Sequence, residues 1–62
     1  MYYEIRLEDG TNLGSACTAP IARTVAYIKA KLLKQNVQVV DDNTGAVLDT
    51  YNSNGYIITG AR

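Results

Sequence analysis

A single stretch of helical periodicity, flanked on both sides by β-rich sequence, limits the folds that this chain can adopt. Within it, large aliphatic residues recur at spacings of four, three and four positions, as on one side of a helix. These residues are Ile21, Val25, Ile28 and Leu32. Such a stripe needs an apolar surface to pack on, and the neighbouring segments have the patterns of strands. We therefore expect the stripe to face a sheet.

The helix is predicted to run from about residue 20 to residue 35. Thr18 or Ala19 is the expected N-cap, and Pro20 falls in the first turn, where its missing N–H costs nothing. Lysines near the C-terminal end suit the negative end of the helix dipole. Asn36 is the expected left-handed residue that ends the helix.

Strand patterns occupy the rest of the chain. In the first strand, Tyr3, Ile5 and Leu7 alternate with charged residues, and the strand is expected to end at the Asp9-Gly10 turn. Residues 11–17 form a weaker candidate that would pair back through Leu13, although Gly14 disfavours a strand there. Three further strands are predicted after the helix, and they cover residues 37–41, 47–51 and 56–59.

These elements predict an α+β fold in one small domain that spans residues 1–62. One helix packs on one face of a sheet of about three to four strands, mainly antiparallel, in the order β-(β)-α-β-β-β. If the first strand lay parallel to residues 37–41, the helix would be a right-handed crossover between them. A chain of 62 residues buries only about 60% of its unfolded surface, so we expect modest stability.

Composition narrows the function classes. With 47% apolar and 19% charged residues, the chain favours a compact globule over disorder. Six basic and six acidic residues cancel, so no overall field attracts nucleic acid or an anionic membrane. The single cysteine, Cys17, cannot form an internal disulfide, and neither a signal peptide nor a membrane span is apparent. We expect a complete small cytoplasmic protein that does not bind membranes.

The reactive side chains argue against catalysis. The sequence has no histidine, so Cys17 lacks an imidazole base and a Cys/His zinc site is excluded. Carboxylates cluster only at Asp41, Asp42 and Asp49, and adjacent strand residues point apart. Cys17 itself is either an activated thiolate at the start of the helix or a small half-buried apolar residue, and we favour the second. We expect no enzyme activity, no metal and no cofactor.

The stretch VVDDNTGAV, residues 39–47, has two interpretations, a calcium loop or a hairpin turn. A calcium loop needs oxygen ligands at alternating positions and a closing glutamate. The next acid here is Asp49, which belongs to the following strand. In a turn, Asp and Asn side chains accept hydrogen bonds from nearby backbone N–H groups, while Gly45 takes the left-handed conformation. We predict the hairpin turn.

The open face of the sheet is the preferred binding surface. We expect Tyr3, Ile5 and Leu7 of the first strand to face the helix. If Val37, Val39 and Leu48 do so as well, strand alternation sends other apolar side chains to the opposite face. The predicted protein-binding residues are Tyr2, Val40, Val47 and Tyr51. Aromatic residues within a charged rim are typical of interfaces, although single exposed apolar residues are also ordinary. We expect a regulator or inhibitor that binds a larger protein and can homodimerise through this face.

The helix offers an alternative surface, which would make the chain a nucleic-acid-binding module. Its basic row comprises Arg23, Tyr27, Lys31 and Lys34. The same pattern is typical of any solvated helix face. Contacts to about three phosphates would be largely lost near 150 mM salt, so we expect no useful affinity for random DNA or RNA. The protein-binding interpretation is therefore preferred, with a partner that the sequence does not identify.

Overall fold

A computed structural model describes residues 2–54 and the backbone of residues 57–60. Its elements are β1 (Tyr3–Leu7), β2 (Asn12–Ala16), α1 (Ala19–Leu33), β3 (Val37–Asp41), β4 (Val47–Tyr51) and β5 (Ile57–Gly60). The strands form one antiparallel sheet of five, in the order β2-β1-β3-β4-β5. The predicted two-layer α+β class is confirmed, with five strands because residues 11–17 do contribute β2. The last strand was expected to begin at residue 56, which lies outside the described residues.

The helix connects two strands that lie on either side of β1. Strand β1 pairs antiparallel with β2 and also with β3, where Ile5 stands opposite Val39. The parallel arrangement of β1 and β3 considered from the sequence is therefore wrong. Because β2 and β3 both run against β1, they share one direction, and α1 joins them across the middle strand.

The core lies between α1 and one face of the sheet. Its buried apolar residues are Ile5, Ala16, Ala22, Ala26, Ala30, Val37, Val39 and Tyr51. The prediction that β1 turns Tyr3, Ile5 and Leu7 toward the helix is confirmed, since Ile5 is buried and the other two pack against this cluster. Val37, Val39 and Leu48 also contact or belong to the core, as expected.

The helix faces the sheet with small side chains, so the predicted core stripe is wrong. Ala22, Ala26 and Ala30 have no exposed surface. The exposed fractions of the large residues are 56% for Ile21, 47% for Ile28 and 72% for Leu32. Val25, at the edge of this row, is half-buried against the core.

The physical reason is the distance between the two layers. Alanine lets the helix backbone approach the sheet closely, and the valines, Ile5 and Tyr51 of the sheet then fill the space between them. A row of isoleucine and leucine would hold the helix farther away. Both rows repeat at helical spacing, and Ala26 and Ile28 lie roughly 160° apart around the axis. Spacing alone therefore does not decide which row is buried.

The ends of the helix match the predictions only in part. Thr18 is the N-cap, with extended backbone angles of φ −131° and ψ 151°, and Pro20 lies in the first turn. At the other end Lys34 is left-handed, with φ 55° and ψ 42°, and its N–H donates to the Ala30 carbonyl at 2.9 Å. The predicted terminator, Asn36, is thus wrong. The earlier end lets the chain reach the sheet by Val37, which is fully buried at the start of β3.

The turn between β3 and β4 confirms the hairpin prediction. The Asp41 carbonyl accepts from the Gly45 N–H at 2.7 Å, and the Ala46 carbonyl accepts from the Asp41 N–H at 2.9 Å. The Asp41 side chain accepts from the Asn43 N–H at 2.8 Å. Gly45 has φ 76°, the left-handed conformation that a glycine adopts without strain. The acidic stretch therefore serves the turn through its local hydrogen bonds.

Candidate protein-interaction surface

The protein-binding face predicted on the sheet is not formed as one surface. Tyr51 turns toward the helix, where it is 6% exposed and its ring meets Tyr27 edge-on, with centroids 6.4 Å apart. Val40 is buried as well, at 2% exposed. Tyr2 and Val47 are the two members whose side chains reach solvent, and a binding role for them stays a prediction.

A shift in strand register explains the misplacement of Tyr51. Val39 pairs with Asp49, but the next residue, Val40, pairs with Val47, so Leu48 is an extra residue on β4. Such a bulge interrupts the two-residue alternation of side chains. A shift of one residue exchanges the two faces of a strand. Tyr51 therefore comes to the helix side, although simple alternation from Val47 places it on the other face.

The same bulge brings a carboxylate under the helix. Asp49 is 2% exposed, and its Oδ2 accepts a hydrogen bond from Arg23 Nε at 2.8 Å. The pKa of Arg23 is raised, first by this hydrogen bond and then by the Asp49 charge. The pKa of Tyr51 is also raised, mainly by burial and secondly by the nearby Asp49 charge. Asp49 thus compensates Arg23 and links β4 to α1.

The basic row of the helix is present, but its charges are partly engaged within the protein. Arg23 is paired with Asp49. The Lys31 Nζ donates to the Tyr27 hydroxyl at 3.3 Å and lies 5.1 Å from the centre of that ring. Lys34 stands apart as the C-cap residue. With Arg23 already neutralised, the row offers less charge for a phosphate backbone than the sequence suggests.

The structure places Cys17 in the bend before α1, whereas Asp41, Asp42 and Asp49 lie at the end of β3, in the turn after it and on β4. Cys17 is exposed, so the expected half-buried position is wrong. It follows Ala16, the buried last residue of β2, and lies in the short bend that leads to α1. Among the described residues, no three His, Cys, Asp or Glu side chains are grouped to hold a metal ion.

A shallow polar groove lies on the open side of the sheet, beside the edge strand β2. Its volume is about 350 Å³, and its lining residues are Tyr2, Glu4, Asn12, Gly14, Ser15 and Asp42. Within the described residues, every buried side-chain polar atom has a hydrogen-bond partner.

The surface that sequence reasoning missed lies on the outer side of the helix. We call Ile21, Val25, Ile28 and Leu32 the aliphatic stripe. From Ile21 to Leu32 it extends about 16 Å along the axis, at 1.5 Å per residue. The sequence identified these residues but assigned them to the core. The sequence contains a second row at the same spacing, Ala22, Ala26 and Ala30, but spacing alone does not show which of the two rows is buried.

Comparison of the chain with protein-family models, curated proteins and solved structures finds no match. Within the described residues, α1 falls short of the length and apolar character that a membrane-crossing helix requires. The candidate site therefore depends on its own geometry, a row of large aliphatic side chains on a helix that is already anchored by alanines.

Proposed function

We propose that this chain is a small non-enzymatic module that binds another protein through the aliphatic stripe of α1. The observation that carries the proposal is the exposure of Ile21, Ile28 and Leu32 along one line of the helix. Full burial of such a side chain is worth about 1.5–3 kcal/mol, so covering all three would provide substantial binding energy. Apolar side chains surrounded by polar and charged residues have the anatomy of an interface.

The stripe fits a protein better than a nucleic acid. A nucleic acid is bound mainly through its phosphates, and those contacts need several uncompensated cations. Arg23, one of the cations on the helix, is held by Asp49 at 2.8 Å. Aliphatic side chains gain most from an apolar partner surface, and a helix that places its apolar face in such a surface is a common recognition mode. We keep the nucleic-acid function as the alternative.

The absence of a histidine and the single cysteine support a binding role over a catalytic one. A small binding module of this kind would act as a regulator or inhibitor of a larger protein. The cytoplasm is the proposed location, since a small secreted domain would usually depend on several disulfides. Self-association through the open sheet face stays a prediction, with Tyr2 and Val47 as its exposed members and Val40 and Tyr51 buried.

Affinity capture with matched variants tests the proposal. The chain and two double variants would be immobilised and exposed to an extract of the native host. Ile28→Gln/Leu32→Gln alters the stripe, whereas Tyr2→Gln/Val47→Gln removes two exposed apolar side chains elsewhere. We expect specific proteins to be retained by the wild type and the control but lost from the stripe variant. Circular dichroism would verify that all three chains are folded.

Two results would contradict the proposal. Retention that depends on Tyr2 and Val47 but not on Ile28 and Leu32 would place the binding surface at the end of the sheet. Submicromolar binding of a labelled oligonucleotide near 150 mM salt, abolished by Lys31→Glu/Lys34→Glu, would favour the nucleic-acid alternative.

A further inference from the structure

The aliphatic stripe has the spacing of a coiled-coil seam. Ile21 and Ile28 are seven residues apart, as are Val25 and Leu32, and the steps along the row alternate between four and three. In heptad notation the isoleucines occupy d positions, and Val25 and Leu32 occupy a positions. This assignment matters because Ile21, Ile28 and Leu32 are exposed, so the seam is available to a second helix.

The residues that border this seam are lysines near its C-terminal end. The heptad assignment puts Ala22 and Lys29 at e positions, and Thr24 and Lys31 at g positions. In coiled coils, e and g side chains pair with charges on the facing helix and thereby select the partner. Leu32 therefore lies at the end of the seam where positive charge stands on both sides.

This positive charge has no counterpart on the helix. Helix α1 contains no acidic residue, and neither Lys29 nor Lys31 forms an ion pair with any residue that the structure describes. The contacts of Lys31 go to Tyr27, a neutral side chain. An ordinary interface buries about 800 Å² on each partner, more than three side chains supply, so the contact must extend over these lysines. The partner has to accommodate them.

A second copy of this chain does not supply the negative charge that would compensate Lys29 and Lys31. Two identical helices would offer lysines but no carboxylates at the flanking positions, whichever way they ran. In a parallel pair the lysines would face one another, and like charges across a coiled-coil seam are unfavourable. In an antiparallel pair they would face the uncharged Ala22 and Thr24 and would stay uncompensated. Charge complementarity therefore points to a different helix that carries acids at its own flanking positions.

We infer that the occupant of the stripe is an amphipathic helix of another protein, with aliphatic residues at its a and d positions and Glu or Asp opposite Lys29 and Lys31. This inference rests on the proposed function, and it names the partner by its chemistry. The aliphatic residues supply burial, while the acidic residues supply selectivity and faster association.

A peptide-display selection tests the inference. The library would present helices of about three heptads, long enough to form helix, with Leu or Ile fixed at a and d and with e and g randomised. Selection on the wild type would be compared with selection on Ile28→Gln/Leu32→Gln, so that only peptides that require the stripe are counted. We expect Glu and Asp to be enriched at e and g.

Charge reversal of the chain provides the second measurement. In fluorescence anisotropy, Lys29→Glu/Lys31→Glu should weaken the binding of a selected acidic peptide by roughly tenfold or more. The same variant should gain affinity for a peptide with lysine at e and g. Tyr2→Gln/Val47→Gln should bind the acidic peptide as the wild type does. Lys31 is exposed and Lys29 is half-buried, so circular dichroism would verify that the variant is folded.

The possible failures are distinguishable. Peptides that need the stripe but carry neutral or basic e and g residues would overturn the acidic partner and leave the proposed function standing. If no recovered peptide depended on the stripe, the proposed function would fail as well. A micromolar dimer in sedimentation equilibrium, lost in Ile28→Gln/Leu32→Gln, would make a second copy the occupant. Stripe-dependent binding to phosphatidylserine vesicles, without stripe-dependent peptides, would make it a membrane surface.

Discussion

The orientation of α1 on the sheet makes opposite predictions for two simple substitutions, Ala26→Leu and Leu32→Ala. Ala26 has no exposed surface, so a leucine there adds carbon atoms to a closed helix–sheet contact. Overpacking of this kind typically costs about 1–3 kcal/mol of unfolding free energy. Leu32 is 72% exposed and has little burial to lose. If full burial of leucine is worth about 1.5–3 kcal/mol, its removal here costs roughly 0.5 kcal/mol, offset in part by the better helix propensity of alanine.

Urea unfolding, followed by far-UV circular dichroism, measures both effects. A chain of 62 residues is expected to have a total stability of roughly 3–9 kcal/mol, so an effect of 1 kcal/mol is readily detected. In thermal unfolding each kcal/mol corresponds to about 4–8 °C in Tm for a domain of this size. Ile5→Val serves as the control, because Ile5 is 1% exposed and contacts the core. Ile5→Val should lower the unfolding free energy by about 0.5–1.5 kcal/mol for either orientation of the helix.

The alternative orientation, with the aliphatic stripe inward, reverses the pattern. Leu32→Ala would then empty a core position and cost about 2–5 kcal/mol. Ala26→Leu would fall on the surface, where substitutions usually change stability by less than about 0.5 kcal/mol. That combination would refute the packing described here and would remove the proposed binding surface with it.

Three further predictions concern single positions. Gly45→Val should lower the unfolding free energy measured in urea by about 1 kcal/mol or more, because Gly45 has φ 76°. No atom lies within 4 Å of an added Cβ, so the loss comes from backbone strain alone, and Gly45→Asn should lose less. Lys34→Gly should stabilise by about 0.5–1 kcal/mol in the same assay, since Lys34 is left-handed at the end of α1. Burial, and secondly Asp49, raise the pKa of Tyr51. The stability that the neutral Tyr51 hydroxyl contributes is therefore complete below the ordinary value near pH 10 and is lost as pH rises through the raised pKa. In urea titrations between about pH 8 and pH 11, Tyr51→Phe should therefore lose less stability than the wild type.

The helix, the strands and the main turn of this fold could be predicted from the sequence because each is specified by a local pattern of residues. Charged residues alternate with Tyr3, Ile5 and Leu7, and the predicted core face of β1 is the observed one. The turn after β3 was equally readable, since the positions of Asp41 and Gly45 specify its hydrogen bonds and its left-handed residue. Each of these features depends on residues that are close together in the chain.

Two features of the candidate site depend on contacts that sequence patterns do not contain. Helical spacing identified the aliphatic stripe, but the alanine row has the same period, and the choice between them depends on the space that the sheet leaves. The faces of β4 depend on the bulge at Leu48, which is a property of its pairing with β3. A shift of one residue there moved Tyr51 from the predicted binding face into the core.

The packing of α1 also links partner binding to stability. Because alanines make the closest helix–sheet contact, the most exposed aliphatic side chains of the helix, Ile21 and Leu32, add little to the stability of the free chain. A partner that covers them binds the folded state alone, since the stripe exists only when α1 is formed. At a concentration about 100 times its Kd, such a partner adds about 2.7 kcal/mol to the unfolding free energy. This is a large fraction of the roughly 3–9 kcal/mol of unfolding free energy expected for this chain. The Tm of the protein should therefore rise markedly with the correct partner, and Ile28→Gln/Leu32→Gln should abolish that rise. Because Ile28 is 47% and Leu32 72% exposed, the free variant should itself lose only about 1–2 kcal/mol of unfolding free energy and remain folded.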